Sequence, residues 1–114
     1  MVKVVVIIVM VVTSIVTSVV YHVTQKADIQ YYQGHRYFEK GEYVNAAPFY
    51  QRAIAANPSH FKSLKDIGFV YQWTNRHAEA IAAFSKALSI RPKDKRVKIA
   101  LAETLSWERS SSSR

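Results

Sequence analysis

The sequence predicts an all-α protein: a short solenoid of paired helices, preceded by a single hydrophobic N-terminal helix. Three observations predict it. Residues 27 to 92 repeat at a fixed step of 34 residues, so that Gly34, Tyr37, Ala46, Ala53 and Pro58 recur as Gly68, Tyr71, Ala80, Ala87 and Pro92, while Tyr50 becomes Phe84 and Ile54 becomes Leu88. Ahead of the repeat, Val4 to Val12 contains no polar residue. Behind it, Asp94 precedes a further stretch carrying Val97, Ile99, Ala100, Leu101, Leu105 and Trp107. A period of about 34 residues is the mark of stacked helix-turn-helix units, each burying its apolar face against the next.

The residue types suit that packing. Gly34, Gly68, Ala46, Ala80, Ala53 and Ala87 are small and let antiparallel helices approach, while Tyr37, Tyr71, Tyr50 and Phe84 are large and fill the space between helices. Gly41 and Asn75 tolerate the left-handed backbone that ends a helix, and Pro58 and Pro92 stop the second helix of each unit. The ordered set "GHRY", "AAPFY", Ala53, Pro58 and its copy "GFVY", "AIAAF", Ala87, Pro92 resembles the tetratricopeptide repeat family. The resemblance implies two right-handed α-solenoid repeats, residues 27–60 and 61–94. A capping helix, or the first helix of an incomplete third repeat, follows at 95–109, and a disordered tail at 110–114.

In chain order, residues 1–23 come first. Val4 to Val23 is a run of 20 residues, and a helix of that length spans about 30 Å, the hydrocarbon thickness of a bilayer. Thr13, Ser14, Thr17 and Ser18 interrupt it only with hydroxyls, which bond back to helix carbonyls. The valines suit a strand, but the run is too long for one. It is read as an uncleaved single-pass anchor; a cleaved signal, leaving a secreted or periplasmic product, is the alternative, although no A-x-A site occurs. The short head before the span places the repeats on the extracytoplasmic side.

Residues 27–39 then form the first repeat helix, with Gln30 and Gln33 where the family commonly has Trp and Leu. Pro48 falls early in the second helix, and Asn45 as N-cap would place it harmlessly in the first turn. In the second repeat Ser59 is the expected N-cap, and Lys62, Ser63, Lys65, Gln72, Arg76 and Glu79 the polar sides. Asp94 caps the fifth helix.

The net charge is +8, and the one uneven region is Arg91, Lys93, Lys95, Arg96 and Lys98 around Asp94. That cluster is the sole argument for a nucleic-acid or anionic-surface binder, and it matches no recognised motif, so nucleic acid is an unlikely partner. Zero cysteines exclude disulfides and thiol catalysis. His22, His35, His60 and His77 lack metal-ligand spacing, no phosphate-cradling glycine loop occurs, and Asp66 and Glu103 read as solvated faces. The chain is therefore read as a non-enzyme without metal or cofactor. The family resemblance implies a concave peptide-binding face made by the first helices: Asp28, Tyr31, His35 and Phe38, then Lys62, Lys65, Phe69 and Gln72, then Arg96, Ile99 and Glu103. Its aromatic and basic residues suit a protein or peptide partner with apolar anchors and acidic flanks. A plainer alternative is that the rings only pack between repeats. Of the family's clamp for a chaperone's C-terminal carboxylate, Lys65 matches the lysine, but Phe69 stands where asparagine is needed. A longer exported protein, of which these repeats are the front, is a further alternative.

Overall fold

The computed structural model describes residues 1–113, and among them every regular element is a helix. The order is α1 (Val2–Glu39), α2 (Tyr43–Ala56), α3 (Phe61–Trp73), α4 (His77–Ile90) and α5 (Lys95–Ser112). Consecutive helices pack as antiparallel pairs, and α3 also touches α1 and α5. The chain measures 71 × 27 × 20 Å, a small helical body with a rod projecting from it.

The rod is α1. The apolar segment and the first repeat helix were expected as separate elements, but they form one helix of 38 residues. No Gly or Pro falls between Met1 and Gln33, so nothing in that stretch breaks the backbone ladder. Of the four hydroxyls, the two threonines bond back as expected: Thr13 Oγ1 donates to the Met10 carbonyl at 2.9 Å, and Thr17 Oγ1 to those of Thr13 and Ser14, each at 2.9 Å. Side chains in the apolar half are exposed throughout, whereas Ala27, Tyr31 and Gly34 are buried in the body.

Within the body the small-against-large scheme holds. A Cβ on Gly68 would sit 2.5 Å from Phe84 Cε1, and one on Gly34 would sit 3.2 Å from Tyr50 Cδ1, so each repeat seats a ring on its glycine. Tyr50 and Phe84 are fully buried. Both turns use the expected residues, with φ +76° at Gly41 and φ +62° at Asn75. At each of them the backbone reaches back across the helix end: Glu42 N–H donates to the Tyr37 carbonyl (2.9 Å) and Arg76 N–H to that of Tyr71 (2.8 Å). Asp94 caps α5 by accepting from Val97 N–H at 3.0 Å.

Several local expectations are corrected. Helix α3 is capped by the His60 ring, which accepts from Ser63 N–H, and not by Ser59. Helix α2 begins at Tyr43, so Asn45 lies inside it and Pro48 falls beyond the first turn. The helix tolerates this because the carbonyl that Pro48 leaves without a donor belongs to exposed Val44, while Ala46, Ala47, Tyr50 and Ala53 stay buried. Ser63 and Gln72 are buried, not on a polar side. Of the tail expected at 110–114, Ser110, Ser111 and Ser112 are helical, their hydroxyls bonding to the carbonyls of Trp107 and Glu108; Arg114 lies outside the described residues. Along α5 only Val97, Ala100 and Thr104 are buried, leaving Ile99, Leu105 and Trp107 exposed.

Candidate peptide-binding face

The inner face is a row of stacked rings. Tyr31 and His35 stack at 5.4 Å, His35 and Phe38 at 6.0 Å, and Phe38 and Trp73 at 5.6 Å; Trp73 then meets Phe69 at 5.4 Å. Basic groups border the row. Lys62 Nζ lies 5.8 Å from the Tyr31 ring centre and the Arg96 guanidinium 5.7 Å from that of Phe69. The Lys65 ammonium and the Arg91 guanidinium both cover Phe61, at 5.7 and 4.3 Å. None of these four cations is paired with a carboxylate among the described residues. Cations over aromatic faces are held in place while their charge stays open to an anion.

The residues expected on this face divide into three groups. Lys62 and Arg96 are exposed, Lys65, His35, Phe38 and Phe69 are half-buried, and Ile99 and Glu103 stand exposed on α5. Tyr31 is only 8% exposed and tilts against Tyr50 and His60, so it forms the floor beneath the row. Gln72 is not on the face at all. Its Nε2 donates to the Ala100 carbonyl (3.3 Å) and to Thr104 Oγ1 (3.0 Å), which ties α5 to α3 and leaves nothing for a ligand. Trp73, 48% exposed, takes the place expected of Gln72. Gln72 and Trp73 stand three and four residues beyond Phe69 and both share its helical face, so the choice between them is made by their partners on other helices, Thr104 for Gln72 and Phe38 for Trp73.

Asp66 is the second residue that sequence reasoning missed. Far from being a solvated face, it is buried at 5% exposure. It accepts from Tyr50 Oη at 3.2 Å and lies 3.3 Å from His35 Nδ1, whose other ring nitrogen is 3.4 Å from Glu39. Burial first, and the Asp66 charge second, push the Tyr31 and Tyr50 hydroxyls well above the usual tyrosine range. His60 makes a parallel link at the other end of α3: Nδ1 accepts from Ser63 N–H, which leaves the ring proton on Nε2, 2.9 Å from Asp28. Asp28 is therefore tied to the fold through Oδ1. His77 is half-buried against Trp107, as a packing ring would be. No group of three metal-ligating side chains occurs among the described residues. These polar links lock the floor, and they assemble no nucleophile and base around a reacting centre.

Such an arrangement, paired helices presenting a rigid aromatic and basic inner wall, defines a helical-repeat module of the kind that mediates protein–protein contact. The tetratricopeptide repeat family model matches residues 37–103, and the chain belongs to that family. Among solved structures it is similar to MamA, at 31% identity over 77% of this chain and 48% of that one, with a TM-score of 0.68. A second MamA structure gives 29% identity, 75% and 50% coverage and a TM-score of 0.70. The chain thus spans about half the length of the MamA chains it matches. The second TPR of Spaghetti (RPAP3), bound to the HSP90 peptide SRMEEVD, shares the fold at 18% identity, with 76% and 81% coverage and a TM-score of 0.72. No curated protein sequence matches the chain. Proteins of this family are generally non-enzymatic scaffolds.

Proposed function

We propose that this chain is a membrane-tethered adaptor that holds an extended peptide along the row formed by Phe38, Trp73 and Phe69, with Lys62, Lys65 and Arg96 receiving acidic side chains of the peptide. The observation that carries this reading is the half-exposed aromatic row bordered by cations without carboxylate partners. Rigid aromatic anchors and open positive charge suit a ligand with apolar and acidic residues in alternation. The peptide held by the RPAP3 repeat is itself acidic, which supports the ligand class. The carboxylate clamp does not transfer, because Phe69 stands where asparagine is required and packs edge-on against Phe84 at 5.1 Å.

The tether is α1, whose apolar half is long enough to cross a bilayer and buries none of its side chains in the body. The full chain in detergent, titrated with peptides that alternate Leu or Phe with Asp or Glu, tests the face. Lys65→Glu should weaken binding about tenfold, which is 1.4 kcal/mol, and Lys86→Glu on the opposite side should leave it unchanged. Equal loss in both variants would reduce the effect to net charge and remove the assigned face.

A further inference from the structure

Of the basic cluster at Arg91 to Lys98, Arg91 and Arg96 border the aromatic row, and Lys93, Lys95 and Lys98 do not. The position of the cluster in the fold gives it a use. Helix α1 leaves the apolar segment at Val23 and runs away from it, α2 returns, α3 runs away, α4 returns, and α5 starts again. The α2–α3 and α4–α5 turns therefore lie at the end of the body nearest the apolar segment. Side chains confirm the level: Asp28 on α1 bonds His60, and Phe61 beside it carries the Arg91 guanidinium. Asp28 is five residues beyond Val23, about 7 to 8 Å along the helix.

Charge is sorted by the same topology. Lys26, Arg52, Arg91, Lys93 and Lys95 are exposed at this end. Its carboxylates among the described residues are Asp28, bonded to His60, and Asp94, bonded to Val97 N–H. At the opposite turns the signs balance, with Glu39, Glu42 and Glu79 beside exposed Arg36, Lys40 and Arg76, so the net positive charge lies at the end nearest the apolar segment.

We propose that this end of the body rests on the bilayer and that Lys93 and Lys95, with Lys26 and Arg52, bind anionic phospholipid headgroups. The proposal rests on the tether reading of α1. The headgroup layer is about 5 to 7 Å deep, and charges act over a Debye length of about 8 Å, so turns at this level lie within reach of the surface. The α4–α5 turn is displaced sideways from α1 by two helix spacings, about 20 Å. A tilt of about 20°, ordinary for a membrane helix, lowers it by about 7 Å into the headgroups.

The protein contains no cysteine, so single labels are simple to place. The full chain is reconstituted into nanodiscs of phosphatidylcholine, alone or mixed with phosphatidylserine, with a fluorophore on Ser89→Cys near the α4–α5 turn or on Ser106→Cys toward the far end of α5. Quenching by a headgroup-labelled lipid should rise severalfold at Ser89→Cys when phosphatidylserine is present, and should not change at Ser106→Cys. Adding Lys93→Gln and Lys95→Gln should lower the ratio of seated to unseated molecules about fivefold per residue. Equal quenching in the two lipids, in a chain that resists carbonate extraction, overturns the headgroup contact and leaves the tether intact. Extraction by carbonate overturns the tether and this proposal with it. A response of Ser89→Cys to duplex DNA at a salt concentration where phosphatidylserine has no effect would make the cluster a nucleic-acid surface and would also overturn it.

Discussion

Replacing Gly68 with alanine tests the packing rule on which the repeat is built. An added Cβ would lie 2.5 and 2.6 Å from Cε1 and Cδ1 of Phe84, where ordinary carbon contacts are about 3.5 to 4.0 Å. The ring cannot withdraw easily, since Phe84 is fully buried with Phe69 edge-on at 5.1 Å. Overpacking of this kind costs about 1 to 3 kcal/mol. Alanine returns about 1 kcal/mol of helix propensity, and an overlap of about 1 Å places the clash in the upper half of its range, leaving a net loss of about 1 to 2 kcal/mol. For a body of this size that lowers the melting temperature by about 4 to 16 °C, measurable by far-ultraviolet circular dichroism on the full chain in detergent. The cause is isolated by a second change. Phe84→Leu alone should destabilise by about 1 to 2 kcal/mol through lost volume, but with Gly68→Ala already present most of that loss should vanish, a coupling of about 1 kcal/mol or more. Strict additivity, or a Gly68→Ala variant as stable as helix propensity alone would make it, would refute the argument that ring seats on glycine.

Two further outcomes are expected. The Tyr31 and Tyr50 hydroxyls hold their protons more tightly folded than unfolded, so the unfolded chain releases them first, and stability present below about pH 10 declines above it by up to about 1.4 kcal/mol per pH unit for each hydroxyl; urea titrations of Tyr50→Phe should show a shallower decline. Gln72→Ala should cost about 1 to 2 kcal/mol and should accelerate hydrogen exchange in α5 while α1 and α2 keep their protection, whereas a uniform change along the chain would remove Gln72 as the tie between α3 and α5.

Residues that serve only the local backbone were readable in the sequence. Gly41, Asn75 and Asp94 each answer a local demand, a left-handed turn or an orphan N–H, that their neighbours in sequence already define. The seating of Tyr50 and Phe84 on glycines was readable too, because the 34-residue step repeats both partners together. The failures share a different cause. Asp66 reads as a surface charge until Tyr50 and His35, 16 and 31 residues away, bring partners to it. His60 displaces Ser59 as the cap because its ring also reaches Asp28 on another helix, a tertiary reward no local rule contains. Gln72 turns inward and Trp73 joins the row because Thr104 and Phe38, on other helices, supply their partners.

The absence of a joint between the two halves of α1 fixes a height. A flexible linker of similar length would let the peptide face wander through a wide volume above the bilayer. Where α1 spans the membrane as proposed, Tyr31 and Phe38 instead stand about 12 and 22 Å beyond Val23 along a stiff rod. A partner anchored in the same membrane would be caught only if it presents its peptide within that band, and for such a partner the local concentration at the face is high. Glycines inserted beside Gln25 would blur the band without touching a single residue of the face. Under the proposed tether and peptide face, the length of the rod would act as a second criterion of recognition, selecting partners by how far their peptide stands above the bilayer.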